Sequence, residues 1–320
     1  MNIYHILKTF LKIAKNIWVI RVYLSILFVS IIIYFYKHKE TLATLPKILH
    51  LETVYLVLIL SFIVFLCYVY VHYSIYRALG AKISYWQTFQ VAAFSRLGVY
   101  IPGKVWYAAN YYIFSRQLDI SSDKIGKNFI INNALLFFTG GLCSLFAIAQ
   151  LPWLAQKFLI ILPFLMIMLI HPRILNKIFS VLLRKISQFS SEDTAASSVD
   201  VDNTFLNYSS YLKAIGLYFL LWFITGAILF LCIRIFVPIG IKDFPVIIAA
   251  GATGLIIGLL AFFAPAGLGV REGVGTLILS QIIPLEIAVF ACVLLRLITI
   301  ITDFVVGGIG TVAFSRKKHT

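Results

Sequence analysis

Long apolar runs separated by short polar punctuation make up most of the chain. Stretches 17–36, 53–76, 128–150, 153–171, 212–237 and 286–313 each approach or exceed the roughly 20 apolar residues with which a helix crosses a bilayer. Between them lie two segments that are equally apolar but interrupted: 84–117, broken at "GVYIPGK", and 246–283, broken at "FFAPAGLGVREG". The arms of the first are about 16 and 14 residues, and at roughly 1.5 Å per residue neither comfortably spans a ~30 Å hydrocarbon core. Both segments are therefore expected to be hairpins that enter the membrane and return. The pattern predicts an all-α polytopic membrane protein with about six full transmembrane helices and two broken, re-entrant hairpins.

Outside these runs the sequence changes character. In the first 16 residues Ile3, Ile6, Leu7, Phe10 and Ile13 recur at helical spacing, with Lys8, Lys12 and Lys15 on the other side. That is the pattern of an amphipathic helix lying on the inner leaflet, and no small-residue cleavage site follows to make it a signal peptide. Residues 172–211 hold a basic amphipathic stretch and then "SSEDTAASSVDVDNT", a polar, acidic cytoplasmic linker. The expected organisation is an interfacial helix over 1–16, a first membrane half over 17–171, the linker, a second membrane half over 212–313 and a basic tail over 314–320.

Charge orients this arrangement, because Lys and Arg in short loops favour the cytoplasm. With the N-terminus inside, sixteen such residues fall on the cytoplasmic side and five outside. Both termini are thus expected in the cytoplasm of a multi-pass protein of the cell membrane. One consequence follows from the parity alone. The first hairpin enters from the cytoplasm and the second from the opposite side, each flanked by helices of matching sense, which is an inverted repeat of the kind found in alternating-access transporters.

Composition closes off other classes. Hydrophobic residues make up 61% of the 320 and the mean hydropathy is +0.97, against about 45–50% apolar content in a soluble domain. The excess of 27 Lys and Arg over 12 Asp and Glu sits beside apolar runs, so it points to lipid surfaces and not to nucleic acid. Cys67, Cys143, Cys232 and Cys292 lie in separate apolar segments and are expected to be small core residues. No cofactor or metal is expected.

Six charges fall at membrane depth: Arg96, Lys104, Arg271, Glu272, Arg296 and Asp303. Each costs about 2.5–3.5 kcal/mol at the centre of a lipid-facing helix on insertion scales, so they must face protein or a wet cavity and find partners. Arg296 and Asp303 are seven apart, hence on one face of the last helix. Asp303 is expected to meet a cation on another element, Arg271 or Lys104, and for Glu272, adjacent to Arg271, an internal ion pair that fixes helix packing stands beside a role in the cavity. Glu272 and Asp303 are the candidates for proton coupling or ion pairing. The breaks at Pro102, Gly103, Pro265, Gly267 and Gly269 would open the backbone, and a helix beginning after such a turn offers free N–H groups to a phosphate or carboxylate. With Arg96, Lys104, Arg271 and Arg296 as substrate-binding cations, the expected cavity carries a net excess of two positive charges. Asn132 and Asn133 are further polar candidates, for helix packing or for the cavity.

The stretch Phe262 to Gly273 resembles the Pro-x-Gly-Leu-Gly-x-Arg-Glu signature of the lysylphosphatidylglycerol synthase transmembrane-domain family, also described as flippase-like membrane proteins. "YIPGK" at Tyr100 to Lys104 sits where that family has its first proline-glycine motif, and the similarity extends over roughly residues 10–313. In the best-understood members this domain moves aminoacylated phosphatidylglycerol between leaflets, while a separate soluble domain makes the lipid. The resemblance implicates Pro265, Gly267, Gly269, Arg271 and Glu272, and more loosely Pro102 and Gly103. Two departures matter: the chain ends at Thr320 with no aminoacyl-transfer domain, so synthase activity is not expected. In addition, Lys104, Val105 and Trp106 replace a glycine-rich stretch with an acidic residue and an arginine, so headgroup preference is expected to differ.

These readings converge on translocation of an anionic or phosphate-linked polar-headed lipid, a phospholipid or lipid-linked saccharide, in envelope biogenesis. Its partners would be membrane lipids and envelope-polysaccharide or lipid-modifying enzymes. The alternatives are a membrane glycosyltransferase or acyltransferase acting on a lipid carrier, and a non-transporting scaffold. The first lacks paired acids in the outer loops; the second would pair all six charges internally and have no cavity. The topology is testable by labelling: a cysteine replacing Lys39 should react with a membrane-impermeant maleimide in intact cells, and one replacing Ser191 only after permeabilisation. The reverse pattern would invert the orientation.

Overall fold

The computed structural model describes residues 51–101, 105–146, 208–261 and 264–316, and single helical positions at Ser25, Val29 and Tyr36. The expected interfacial helix 1–16, the rest of span 17–36, span 153–171, linker residues 172–207, the break residues Pro102, Gly103 and Lys104, and residues 317–320 lie outside the described residues. Eight α-helices are described: α1 (Leu51–Ala78), α2 (Tyr85–Leu97), α3 (Val105–Arg116), α4 (Ser122–Ser144), α5 (Tyr208–Arg234), α6 (Phe244–Leu260), α7 (Val270–Leu279) and α8 (Leu285–Arg316). No strand occurs among the described residues. Four segments are long and apolar enough to cross a membrane: Leu51–Ala78, Tyr208–Arg234, Ile241–Leu260 and Leu285–Gly310.

Local chemistry sets the boundaries. α1 ends where Gly80 takes φ +70°, and the Gly80 and Ala81 amides donate back to the Arg77 and Tyr76 carbonyls, a Schellman closure that only a residue at ease in the left-handed region completes without strain. α2 starts at a capping box in which Ser84 Oγ accepts from the Gln87 amide at 3.1 Å and Gln87 Oε1 from the Ser84 amide at 2.8 Å. α4 starts upstream of the apolar run at 128, because Ile125 is buried and Lys127, itself buried, meets Asp123 one turn away at 2.8 Å. α5 likewise begins at Tyr208 and not at 212, since Tyr211 packs into a core cluster.

Both interrupted segments are broken in the structure. α2 passes into a 3-10 turn over Gly98–Tyr100, and α3 resumes at Val105; α6 stops at Leu260, a 3-10 turn covers Pro265–Gly267, and α7 starts at Val270. At 13, 12 and 10 residues, α2, α3 and α7 are about 15–20 Å long, well short of a bilayer core. α6 differs from this expectation: with the turn before it, it reaches 20 residues of spanning length, so the second segment is asymmetric, one long arm and one short.

The packing has an exchange symmetry. Swapping α1 with α5, α2 with α6, α3 with α7 and α4 with α8 maps every substantial helix–helix contact onto another: α2 on α8 becomes α6 on α4, α1 on α2 becomes α5 on α6, and α1 against α5 maps onto itself. Side-chain pairs give direction. Tyr68–Tyr107, His72–Tyr111 and Tyr76–Ser115 all join α1 to α3 at the same sequence offset, so the two helices run parallel and α2 and α3 form a hairpin that turns back.

Small residues let the backbones close up, as is usual where apolar helices meet in lipid. A Cβ at Gly98 would lie 2.8 Å from the Trp106 carbonyl carbon, one at Gly267 (φ +71°) 2.8 Å from the Gly258 carbonyl oxygen, and one at Gly307 2.6 Å from Leu97. Gly98→Ala should destabilise the fold by about 1–3 kcal/mol, the usual range for overpacking, because the obstacle is backbone. Gly216→Ala, which has open space around it, should be neutral or slightly stabilising. Thermal unfolding of the detergent-solubilised variants checks both.

Candidate functional site: a cationic cavity between the two breaks

A cavity of about 240 Å³ lies at the centre of the helices, and all eight of them or their adjoining turns contribute to its wall. Most of the lining is apolar, including Val64, Leu136, Leu221, Ile228, Leu259 and Leu295. Set into it are Arg96, Arg271, Arg296 and Asp303, with the hydroxyls of Tyr68, Tyr100, Tyr107, Tyr218, Thr225 and Thr299. A void of about 30 Å³, bordered by Arg271, Glu272 and Arg296, adjoins α6, α7 and α8.

Four of the six depth charges thus line the cavity and Glu272 borders the adjoining void; Lys104 lies outside the described residues. Asp303 pairs with Arg96, neither of the two cations expected. Arg96 Nε donates to Oδ1 at 2.7 Å, and the Tyr100 hydroxyl donates to Oδ2 at 2.8 Å. The reason is the packing of α2 along α8, which brings the end of the first helical arm to the second half of the chain. Arg96 is further held over the Tyr68 ring, 5.3 Å from guanidinium carbon to ring centroid, a cation–π contact.

Arg296 serves the second break. Its Nη2 donates to the Ala266 carbonyl at 3.0 Å, filling an acceptor freed where Ala266 takes φ +53°. Its Nε lies 3.4 Å from Glu272 Oε1, an ion pair longer than a good hydrogen bond. Glu272 is therefore not the partner of its neighbour Arg271. Its other oxygen, Oε2, accepts from the Gly269 amide at 2.6 Å. This corrects a second expectation: the start of α7, read from sequence as an open anion site, has one of its amides taken by the chain's own carboxylate.

Arg271 is different. Its stem crosses Gly258, where a Cβ would lie 2.5 Å from Cγ, and its guanidinium reaches the cavity. No carboxylate lies within ion-pair distance of it among the described residues. Three arginines against two carboxylates leave these described groups with one net positive charge, Arg96 being offset by Asp303 and Arg296 by Glu272.

Sequence reading missed the polar ladder beside the cavity. The Tyr111 hydroxyl donates to Asn128 Oδ1 at 2.7 Å, His72 Nδ1 lies 3.0 Å from the same oxygen, and Asn128 Nδ2 donates to the His72 carbonyl. Asn132 joins Asn128 to Tyr218, whose hydroxyl donates to Asn132 Oδ1 at 3.0 Å. Asn132 thus works in packing, whereas Asn133 lines the cavity. The available signal was i,i+4 recurrence of polar groups: Tyr68, His72 and Tyr76; Tyr107, Tyr111 and Ser115; Asn128 and Asn132.

An all-helical membrane protein whose two broken helices face a shared cationic cavity is the class that these features define. Residues 18–307 match the family described as the lysylphosphatidylglycerol synthase TM region, and the chain belongs to that family, which is associated with membranes and linked to lipid handling. No curated protein matches the chain.

Removing Asp303 should leave Arg96 without its counter-ion. Breaking a fully buried pair costs about 3–5 kcal/mol; the Arg96 side chain is 32% exposed, so Asp303→Asn should cost less, roughly 2–3 kcal/mol. Arg96→Gln/Asp303→Asn should be more stable than the sum of the single changes predicts, with a coupling of at least about 0.5 kcal/mol. Unfolding in mixed detergent micelles, run as a double-mutant cycle, measures it.

Proposed function

We propose that this protein moves an anionic or phosphate-linked polar-headed lipid between the leaflets of the cell membrane, with both termini in the cytoplasm and its two broken helices alternately opening the cavity to either side. The observation that carries the reading is the cavity between the two breaks: a largely apolar space of about 240 Å³ whose wall includes Arg96, Arg271 and Arg296. Arg96, Arg271, Arg296 and Lys104 would attract the phosphate, Arg offering a planar fork matched to its oxygens. Irregular backbone at the breaks belongs where it lines a cavity and not where it faces lipid. The exchange symmetry of the packing supports two halves that rock against each other, as in inverted-repeat transporters. Family membership supports lipid as the class of substrate.

The test is headgroup translocation in sealed vesicles containing fluorescent phosphatidylglycerol, with outer-leaflet label destroyed by an impermeant reductant. Wild-type protein should expose the inner-leaflet pool faster than protein-free vesicles. Arg96→Gln/Lys104→Gln/Arg271→Gln should lower that rate at least about tenfold, since a hydrogen bond to a charged group is worth about 1.5–3 kcal/mol and 1.4 kcal/mol is tenfold. A triple variant as fast as wild type would end the translocation reading and favour a scaffold.

A further inference from the structure

The two carboxylates at membrane depth are held differently, and on the translocation reading above, on which the inference rests, the difference gives them different roles. Asp303 has both oxygens occupied: Oδ1 accepts from Arg96 Nε at 2.7 Å and Oδ2 from the Tyr100 hydroxyl at 2.8 Å. Glu272 has one occupied, Oε2, which accepts from the Gly269 amide at 2.6 Å. Its Oε1 is buried without a hydrogen-bond partner among the described residues, and so is Arg296 Nε, 3.4 Å away. Charge alone joins these two atoms. Beside them lies the void of about 30 Å³, room for a water molecule or two, and Arg271, Arg296 and Thr299 line both this void and the main cavity.

We infer that Glu272 is a proton-binding carboxyl that gives up Arg296 to a lipid phosphate and takes a proton in its place, so that lipid entry is coupled to proton uptake. A phosphate in the cavity gains the Arg296 Nε–H without breaking a hydrogen bond, whereas at Arg96 it would have to displace the 2.7 Å bond to Asp303. The buried carboxylate that loses its counter-ion is then costly and is neutralised instead. The proton comes from water on the side to which the cavity is open and adds to Oε1, while Oε2 keeps the Gly269 amide. As a neutral acid, Glu272 no longer competes for Arg296. The exchange involves only the phosphodiester, whatever the headgroup carries beyond it. Among the described residues, the titratable or charged groups facing Glu272 are Arg271 on its own helix and Arg296 and Cys292 on α8, with Asp303 further along α8 and already held by Arg96 and Tyr100. The α5 and α6 walls of the void contribute only Leu, Ala and Gly. Intramembrane acids commonly relay protons in transporters, and proton and lipid then raise each other's affinity by the same factor.

The experiment adds phosphatidylglycerol to purified protein in weakly buffered mild detergent near neutral pH, reading proton uptake with an indicator dye and retained lipid by native mass spectrometry. Wild type should take up a proton as lipid binds, and retention should rise severalfold for each unit that the pH falls, because binding that consumes a proton is favoured by acid. Glu272→Gln, which keeps an oxygen for the Gly269 amide, should bind lipid with neither proton uptake nor pH dependence. Lipid bound by wild type without proton uptake would overturn the inference and leave translocation standing. Uptake that persists in a folded Glu272→Gln would overturn the assignment to Glu272. Should that variant not fold, infrared difference spectra of wild type decide: a carboxylic-acid band raised by lipid supports the inference and its absence overturns it. No lipid retained at any pH would instead overturn the translocation reading, and the coupling with it.

Discussion

Two interruptions in helical backbone, placed where apolar chain predominates, create unmet carbonyls and amides that hydrocarbon cannot satisfy. The last helix reaches both, a freed carbonyl at the second break and the side chains beside the first. Arg296 donates to the carbonyl of Ala266 at the second break, and Asp303, seven residues further along the same face, receives Arg96 and Tyr100 at the first. A single rigid element thus closes both irregular segments, and the cavity exists because its two ends are fastened to the same rod. Buried ion pairs are weak evidence of stability in general; here their value is geometric, since each pair joins the first half of the chain to the second or a turn to the helix that covers it.

Glycine performs the complementary task. At Gly98, Gly258 and Gly307 the absence of a side chain lets Trp106 backbone, the Arg271 stem and Leu97 approach closely. Each hairpin closes on a glycine, the first on Gly98 just past α2 and the second on Gly254 within α6, whose Cβ would lie 2.7 Å from the Arg271 carbonyl oxygen. Because dispersion and close packing hold apolar helices together when hydrophobic burial offers no advantage over lipid, such contacts set the spacing on which the arginine geometry relies.

Much of this was readable from the chain, and the limits are physical. Hydropathy located α1, α5 and α8 to within a few residues, and the two breaks were visible as Pro and Gly interruptions, of which only the first leaves both of its arms too short to cross. The depth charges were identifiable from insertion cost alone. What sequence distance could not convey was pairing: Glu272 stands next to Arg271 yet turns to Arg296, because helix spacing places neighbours i and i+1 on different faces. Asp303 meets Arg96, 207 residues away, through the lie of α2 along α8. His72 and Asn128 recur at i,i+4 with Tyr68, Tyr76 and Asn132 along their own helices, but only packing shows that both meet the Tyr111 hydroxyl. α6 was underestimated since its reach includes the turn before it.

The three-rung ladder between α1 and α3 has a mechanical consequence. Tyr68–Tyr107, His72–Tyr111 and Tyr76–Ser115 share one offset, so sliding either helix by a turn breaks all three bonds together, and tilting one strains them unequally. The pair behaves as a keyed joint that resists shear along its length. Any rearrangement that widens the cavity must then spare this joint and work at a seam without such keys. The first hairpin's return arm is in this sense part of one frame with α1.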